Sequence, residues 1–231
     1  MSEEQYIPLP LPSKGLAYLN IDMDKIKIRP FKGKDESLIA EITSENLKKK
    51  FVTIIKNVIR GIEPKDLTSG DVKYILLWEA INSYTQDYPV KLVCENCLQE
   101  VQITCDLGKI NNVELPDNFK QPFDQQLSDK TVQLRLLTLG DEIAAIDWAR
   151  QGKSVYLYGY ARSIVDESVN IIEKIKMLED MSTKDLNEIR KFHTKYSHGP
   201  DMKISYTCPL CDYEGKVVLP FRADEFLSFS E

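Results

Sequence analysis

The feature that most constrains this chain is a pair of Cys-x2-Cys motifs that lie far apart in the sequence. The first holds Cys94 and Cys97, the second holds Cys208 and Cys211, and 110 residues separate the two motifs. Each motif lies between two runs in which apolar and polar residues alternate, which is the pattern of a half-buried β-strand. The sequence therefore predicts two β-hairpins, each with a Cys-x2-Cys turn at its end.

Two such hairpins are the halves of a zinc ribbon, in which four thiolates close a tetrahedral coordination sphere and leave no position for water. We therefore predict that Cys94, Cys97, Cys208 and Cys211 bind one structural zinc ion. A redox-active pair is one rival, but it needs a helix N-terminus beside the first thiol, and both motifs lie between strands. An iron–sulfur centre is the other rival. Because a compact ribbon has about 15–20 residues between its pairs, this one must hold a large insertion.

The other candidate ligands have simpler explanations. The chain has five cysteines and no apolar signal segment at its N-terminus, which favours a reducing compartment over a disulfide framework. The fifth, Cys105, shares a strand face with Val101 and Ile103, so we predict a buried thiol. Because four cysteines already complete the coordination sphere of the metal, we predict that His193 and His198 are not ligands. Each is interpreted as an ordinary residue at a helix end or in a loop.

Helical periodicity dominates the rest of the chain. It predicts a helix over 35–60, split near residue 43 with Ser44 as the cap of its second half, and another helix over 72–83. Within the insertion, the patterns predict a strand at 131–137 and helices at about 140–151, 155–165, 171–178 and 183–195. The predicted fold class is α+β, a helical body with a split four-cysteine zinc ribbon made of two β-hairpin knuckles.

The predicted organisation has five parts. These are an extended N-terminal arm with short strands (1–33), a helical segment (34–88), the split zinc ribbon (89–106 and 203–221), an insertion with a short strand followed by helices (107–202), and a C-terminal tail (222–231). If both knuckles share one metal, the insertion must begin and end close together. Its helices should then pack as a unit against those of 35–83.

Both ends of the chain carry apolar side chains that suggest contacts with a partner. In the arm, proline alternates with Ile7, Leu9 and Leu11, and proline stiffens an extended segment so that docking costs little entropy. We expect removal of 1–12 to leave folding and zinc intact. The alternatives for the arm are a loose tail or an arm that lies along the body of the protein. For the apolar residues near the C-terminus, the alternative is packing on the chain's own core (Phe221, Phe226, Leu227 and Phe229).

Composition excludes several classes of function. No apolar run approaches the ~20 residues that span a bilayer, so no membrane segment is expected. A net charge of −6 argues against a bulk nucleic-acid coat. The lysines at 48–50 and 56, with Arg60, are interpreted as solvated helix surface, with a phosphate or an acidic partner as the alternative. Phosphate-binding, dinucleotide-binding, serine-hydrolase and zinc-protease motifs are absent, so we do not expect an enzyme.

Several short motifs resemble those of one family. They are Leu11-Pro12-Ser13-Lys14-Gly15, Ile28-Arg29-Pro30-Phe31, Asp66-Leu67-Thr68-Ser69-Gly70-Asp71, Leu76-Leu77-Trp78-Glu79-Ala80-Ile81-Asn82, His198-Gly199-Pro200-Asp201, Cys208-Pro209-Leu210-Cys211 and Leu219-Pro220-Phe221-Arg222. Over nearly the whole chain they resemble the T4-type phage baseplate protein family, the baseplate hub assembly proteins of contractile-tailed phages. The resemblance implies a non-enzymatic structural or assembly protein that binds other tail and baseplate proteins. It also implies a location in the host bacterial cytoplasm during assembly, or in the tail baseplate of the virion.

Two other functions stay open. Zinc ribbons also serve as nucleic-acid-binding or transcription adaptors, but the acidic residues of these knuckles, Glu95, Glu100, Asp212 and Glu214, would repel phosphate. An enzyme whose active site follows no known motif would require a deep pocket lined by carboxylates with perturbed pKa values.

Overall fold

A computed structural model of the chain describes residues 5–19 and 21–219 and contains both helices and small antiparallel sheets. The helices are α1 (Gly33–Ala40), α2 (Leu47–Val58), α3 (Ser69–Glu79), α4 (Leu139–Ala149), α5 (Tyr156–Ser163), α6 (Ile171–Glu179) and α7 (Thr183–Lys195). The strands are β1 (Ile7–Pro8), β2 (Lys27–Ile28), β3 (Ile59–Arg60), β4 (Asp87–Val93), β5 (Glu100–Asp106), β6 (Asn112–Val113), β7 (Phe123–Gln126), β8 (Thr131–Leu134), β9 (Gly199–Pro200), β10 (Lys203–Thr207) and β11 (Glu214–Val218). In the part of the chain described here, no helix is both long and apolar enough to cross a membrane.

Most helices begin where the sequence offers a capping side chain. Thr68, Thr138, Asn170 and Ser182 each accept a hydrogen bond from a backbone N–H in the first turn of α3, α4, α6 and α7. A cap of this kind stabilises a helix by about 1 kcal/mol because it satisfies an N–H that has no partner within the helix. The predicted helices of the insertion are confirmed at these positions.

The first predicted helix is split, as expected, but its ends differ from the prediction. The Thr43 N–H donates to Asn46 Oδ1 at 2.8 Å, and this closed turn, instead of a cap by Ser44, precedes α2. After α2 the chain leaves the helix at Ile59, because Ile59 and Arg60 pair with β2. Similarly, α3 ends earlier than predicted and continues as a π-helical turn, Ala80–Tyr84.

The N-terminal arm is built into the folded body. Strand β1 pairs with β2, and the Leu9 N–H donates to Ile26 O at 3.1 Å. Leu9 and Leu11 are each only 3% exposed. The expectation that they await a partner is therefore wrong, since they pack in the chain's own core, whereas Ile7 is 42% exposed. The C-terminal residues for which the same was expected lie outside the described residues (Phe221, Phe226, Leu227 and Phe229).

Buried apolar side chains form two large clusters. The first joins the arm, α2 and α3 to β4 and β5, with Ile28, Ile54 and Ile75 fully buried at its centre. The second lies mainly within the insertion and includes Leu134 and Ile189, with Ala17 of the arm beside them. Each fully buried aliphatic side chain contributes about 1.5–3 kcal/mol to stability. The arm places side chains in both clusters, so burial of these side chains ties the arm to both halves of the molecule.

The insertion begins and ends at one place, as predicted. Strand β6 pairs with β9, and the Asp201 N–H donates to Asn111 O at 2.8 Å. The helices α5, α6 and α7 contribute to the second cluster, whereas α4 contributes Leu139 to the first, and the Leu139 N–H donates to Leu67 O at 2.8 Å. The predicted packing of the whole insertion against the N-terminal helices is therefore only partly correct, because most of it has a core of its own.

The Cys-x2-Cys motifs connect the strands of two antiparallel hairpins, which we call the cysteine hairpins. In the first, β4 pairs with β5 from Asp87↔Asp106 to Val93↔Glu100. In the second, β10 pairs with β11 from Lys203↔Val218 to Thr207↔Glu214. A small third apolar cluster lies where the hairpins meet, with Val101, Tyr206, Cys94 and Cys208 buried in it. The hairpins predicted around the cysteines are confirmed.

Candidate metal centre

The four cysteines of the two motifs converge on one point between the cysteine hairpins. Their Sγ atoms all lie within 4.8 Å of one another. The Cys94 and Cys211 sulfurs are 3.8 Å apart, and so are those of Cys97 and Cys208. Each of these close pairs joins one hairpin to the other, so the cluster bridges parts of the chain that are distant in sequence.

The size of the cluster fits a tetrahedral metal ion. Zinc–sulfur bonds of about 2.3 Å in a tetrahedron place the sulfurs ~3.8 Å apart, which matches the Cys94–Cys211 and Cys97–Cys208 separations. Cys94 and Cys208 are fully buried, whereas Cys97 and Cys211 are partly exposed. Four soft thiolate donors suit zinc or an iron–sulfur centre. The chemistry of the donor set therefore fits the group that the sequence predicts.

The two turns have the same backbone geometry. In the first, the Cys94 N–H donates to Gln99 O at 2.9 Å; in the second, the Cys208 N–H donates to Tyr213 O at 2.8 Å. The residue after the second cysteine is left-handed in both turns, with φ of 58° at Leu98 and 56° at Asp212. This repeated turn aims both sulfurs of each motif to the same side.

The environment of the sulfurs favours a mixture of thiol and thiolate. Backbone N–H groups of Cys97 and Asn96 lower the pKa of Cys94 to about 6. The Asn96 amide, 3.6 Å from the sulfur, lowers the pKa of Cys211. At Cys97 the Gln99 N–H also favours the thiolate, but burial and the neighbouring sulfurs raise its pKa to about 11. Because like charges this close repel one another, a bound cation is what would allow all four to ionise.

The remaining cysteine and the histidines lie elsewhere. Cys105 is buried in the first apolar cluster, and this burial raises the pKa of its thiol. His193 lies in α7 with its Nε2 3.1 Å from Ser163 Oγ, and burial lowers its pKa to about 4. His198 belongs to a buried hydrogen-bond network. Among the described residues, the four-cysteine cluster is the group with metal-ligand spacing.

Sequence reasoning missed a second constellation, centred on the buried carboxylate of Asp71. One oxygen accepts from the Ser13 N–H at 3.0 Å, and the other accepts from the Tyr18 hydroxyl. The Thr68 N–H in turn donates to the Tyr18 oxygen at 3.1 Å. Asp71 thus fastens the arm to the start of α3.

His198 attaches the end of the insertion to the same place. Its Nδ1 is 3.1 Å from Tyr196 O, and because a carbonyl only accepts, Nδ1 carries a proton. In the neutral ring Nε2 then accepts from Thr68 Oγ1, 2.7 Å away. We call this group the Asp71 junction, formed by Ser13, Tyr18, Thr68, Asp71 and His198.

Two glycines allow the close approach at the Asp71 junction. A Cβ on Gly70 would lie 2.4 Å from His198 O, and one on Gly199 would lie 2.5 Å from Gly70 O. Gly199 also has φ of 96°, which side chains disfavour. Three motifs that carried the resemblance, at 11–15, 66–71 and 198–201, therefore meet at one buried point. The motifs themselves could be recognised in the sequence, but no pattern in the sequence showed that they lie next to one another in the fold.

Buried charge near α1 and α3 is also explained by internal contacts. Arg29 and Asp35 form a fully buried ion pair at 2.7 Å. Glu79 is buried and accepts from the Phe31 N–H at 3.1 Å and from Ser83 Oγ at 2.7 Å. Burial raises the pKa of Glu79 to about 8. A perturbed carboxylate is what the enzyme alternative required, but this one is enclosed by the fold.

The lysines of α2 are mostly paired with acids. Lys48 contacts Asp147, Lys50 contacts Glu41, and the Lys56 Nζ lies 2.9 Å from Glu63. These partners neutralise much of the positive charge on this helix surface. Lys48 and Lys50 are therefore partly buried ion-pair partners within the chain, so the interpretation of a solvated surface is only partly correct, and their internal pairing argues against a phosphate-binding face.

Comparison with known proteins gives one match. The sequence model of a family described as "T4 bacteriophage base plate protein" matches residues 7–228, which is nearly the whole chain. Searches of curated proteins and of solved structures returned no match.

Proposed function

The chain belongs to the T4-type baseplate protein family, whose role is structural within the phage baseplate, and we propose that it is a non-enzymatic structural or assembly protein of the baseplate hub. In this proposal it acts by binding other tail proteins, and a structural zinc ion links its two cysteine hairpins. It is made and folded in the host bacterial cytoplasm and becomes part of, or helps to build, the tail baseplate.

The observation that carries the proposal is the extent of the family match. Residues 7–228 include the arm, both helical regions and both cysteine hairpins. A match limited to the cysteine hairpins would equally suit a nucleic-acid adaptor. A match over all of these elements favours a role in which the whole shape of the molecule matters.

The use made of the motif residues supports a binding role. Four motif residues contact one another at the Asp71 junction: Ser13, Thr68, Asp71 and His198. Ser13, Thr68 and Asp71 are buried, and His198 bonds to the Thr68 hydroxyl. Residues committed in this way stabilise a shape and are not presented to a substrate. The same holds for the Arg29–Asp35 ion pair.

The zinc proposal rests on the geometry of the sulfur cluster. Cys94, Cys97, Cys208 and Cys211 would supply four thiolates, which fill a tetrahedral sphere. A closed sphere supplies structural cross-linking and no water activation. By joining residues 94–97 to 208–211, the metal would fasten the two hairpins on either side of the insertion.

The experiment is a deletion of this gene in its phage, complemented from a plasmid. We expect the deletion to leave heads intact while tails lack complete baseplates in electron micrographs, and we expect the wild-type plasmid to restore them. Normal tails in the deletion strain would refute the proposal. Tight binding of the purified protein to duplex DNA at physiological salt, together with normal tails, would instead support the adaptor alternative.

A further inference from the structure

Leu98 has a backbone conformation that leucine disfavours, and its side chain gains little burial in return. Its φ of 58° is left-handed, where a Cβ crowds the following carbonyl oxygen. Its side chain is 73% exposed. At the equivalent position of the other turn stands Asp212, a residue type that tolerates this conformation better. The fold itself therefore gives no reason for a leucine at position 98.

A second exposed leucine lies beside the same sulfur atoms. Leu210 is 64% exposed, and its N–H lies 3.4 Å from Cys208 Sγ. That sulfur is 3.8 Å from Cys97 Sγ, and Leu98 directly follows Cys97. Along the backbone, the two leucines are therefore next to a pair of sulfurs that face each other across the cluster. We call residues 95–99 and 209–213, which carry them, the knuckle tip.

The surroundings of these leucines are acidic. Glu95, Glu100, Asp212 and Glu214 are exposed, and neither 93–100 nor 207–214 contains a lysine or an arginine. A divalent ion held by four thiolates would add a formal charge of about −2. The two leucines therefore stand among acidic side chains, which favour the approach of basic surfaces.

We propose that the knuckle tip is a docking knob, in which Leu98 and Leu210 enter an apolar pocket rimmed by lysine and arginine on another tail protein. The class of partner rests on the proposed function, whereas the chemistry of the pocket follows from the leucines and the acidic residues. Apolar anchors inside a charged rim are the usual source of affinity and orientation at protein interfaces. Such an interface explains why a strained leucine stands where glycine would fit better.

The first test locates the partner. A photo-crosslinking residue replaces Leu98, Leu210 or, as a control, the 75%-exposed Leu19 in the full-length protein, expressed in cells that are assembling tails. We expect positions 98 and 210 to attach to one site on the same tail protein, with lysine or arginine around that site, and position 19 not to do so. Attachment to nucleic acid, to an acidic surface, or equally from position 19 would overturn the proposal.

The second test separates docking from folding. Leu98→Gly removes the apolar side chain and relieves the left-handed strain, so its melting temperature should be unchanged or rise by up to about 3 °C, with metal content unchanged. Its affinity for the purified cross-linked partner should fall at least about tenfold. The control Leu19→Ala should bind as the wild type does. Wild-type affinity in Leu98→Gly would overturn the proposal.

The same variants distinguish this proposal from the proposed function. If deletion of the gene leaves baseplates normal, the proposed function fails. If deletion abolishes baseplates and Leu98→Gly restores them fully at wild-type expression, then only the docking knob fails.

Discussion

Removal of the Asp71 carboxylate should be among the most destabilising single changes in this protein. Asp71 is fully buried, and Asp71→Ala would leave the Ser13 N–H and the Tyr18 hydroxyl without their acceptor. A buried group without its hydrogen bond costs about 1–3 kcal/mol. Two such groups give a loss of roughly 2–6 kcal/mol, a large share of a typical stability of about 5–15 kcal/mol.

Two further variants calibrate that magnitude. Tyr18→Phe keeps the Ser13 contact but removes one donor to Asp71 and the acceptor of the Thr68 N–H, so we expect a loss similar to that of Asp71→Ala, roughly 2–6 kcal/mol. Asp117→Ala removes an exposed carboxylate that contacts Lys14 and should leave the urea midpoint unchanged, because exposed ion pairs add little stability. Because Asp71 and Tyr18 share one hydrogen bond, their double variant should lose less than the sum of the two single losses.

The assay is urea unfolding followed by circular dichroism, with the midpoint and slope fitted for each variant. We expect the midpoint to decrease strongly for Asp71→Ala and for Tyr18→Phe, and not measurably for Asp117→Ala. An Asp71→Ala protein within about 0.5 kcal/mol of the wild type would refute the view that this junction holds the arm, α3 and the insertion together.

Three other predictions follow from the structure. Deleting residues 1–12 should destabilise the protein, contrary to the expectation from sequence, because Leu9 and Leu11 are buried and each contributes about 1.5–3 kcal/mol; a thermal melt equal to that of the full chain would contradict this. Burial raises the pKa of Glu79 to about 8, so the stability that protonated Glu79 contributes is fully present below pH ~4.5 and is lost as pH rises to about 8. Over that window, the unfolding free energy of the wild type relative to Glu79→Gln should fall by up to ~1.4 kcal/mol per pH unit. Parallel pH profiles of the two proteins would refute this prediction. Cys208→Ser should lose the metal and melt at a much lower temperature, because structural zinc contributes on the order of 10 kcal/mol in small peptides, whereas Cys105→Ser should keep a full metal content by elemental analysis.

The sequence predicted best where one local pattern determines one local structure. Periodicity located α6 and α7 to within a residue or two, and Asn170 and Ser182 begin these helices by satisfying N–H groups in their first turns. The cysteine hairpins were predictable for the same reason, since alternation and the Cys-x2-Cys spacing act over a few residues. Their convergence could be predicted from chemistry, because two thiolates alone leave a zinc site incomplete.

The sequence predicted least where contacts between distant segments decide the outcome. The alternating prolines and leucines of the arm suit a free, stiff segment as well as a packed one. The arm is packed because Leu9 bonds to the backbone of Ile26 and lies in the first apolar cluster, and both contacts depend on the tertiary fold. The Asp71 junction joins residues 13, 68–71 and 198, and no local pattern reports such proximity. Ile59 has helical periodicity but joins a strand, because pairing with β2 outweighs helix propensity.

The most direct test of the account is a zinc K-edge X-ray absorption measurement on the purified full-length protein, together with its metal stoichiometry. We expect one zinc per chain, bound by four sulfur atoms at about 2.3 Å and by no oxygen or nitrogen atom. Cys97→Ser should disturb this spectrum, whereas Cys105→Ser should not. A protein that binds no metal, or a zinc ion with water or histidine among its ligands, would contradict the claim that these four cysteines form one closed structural site.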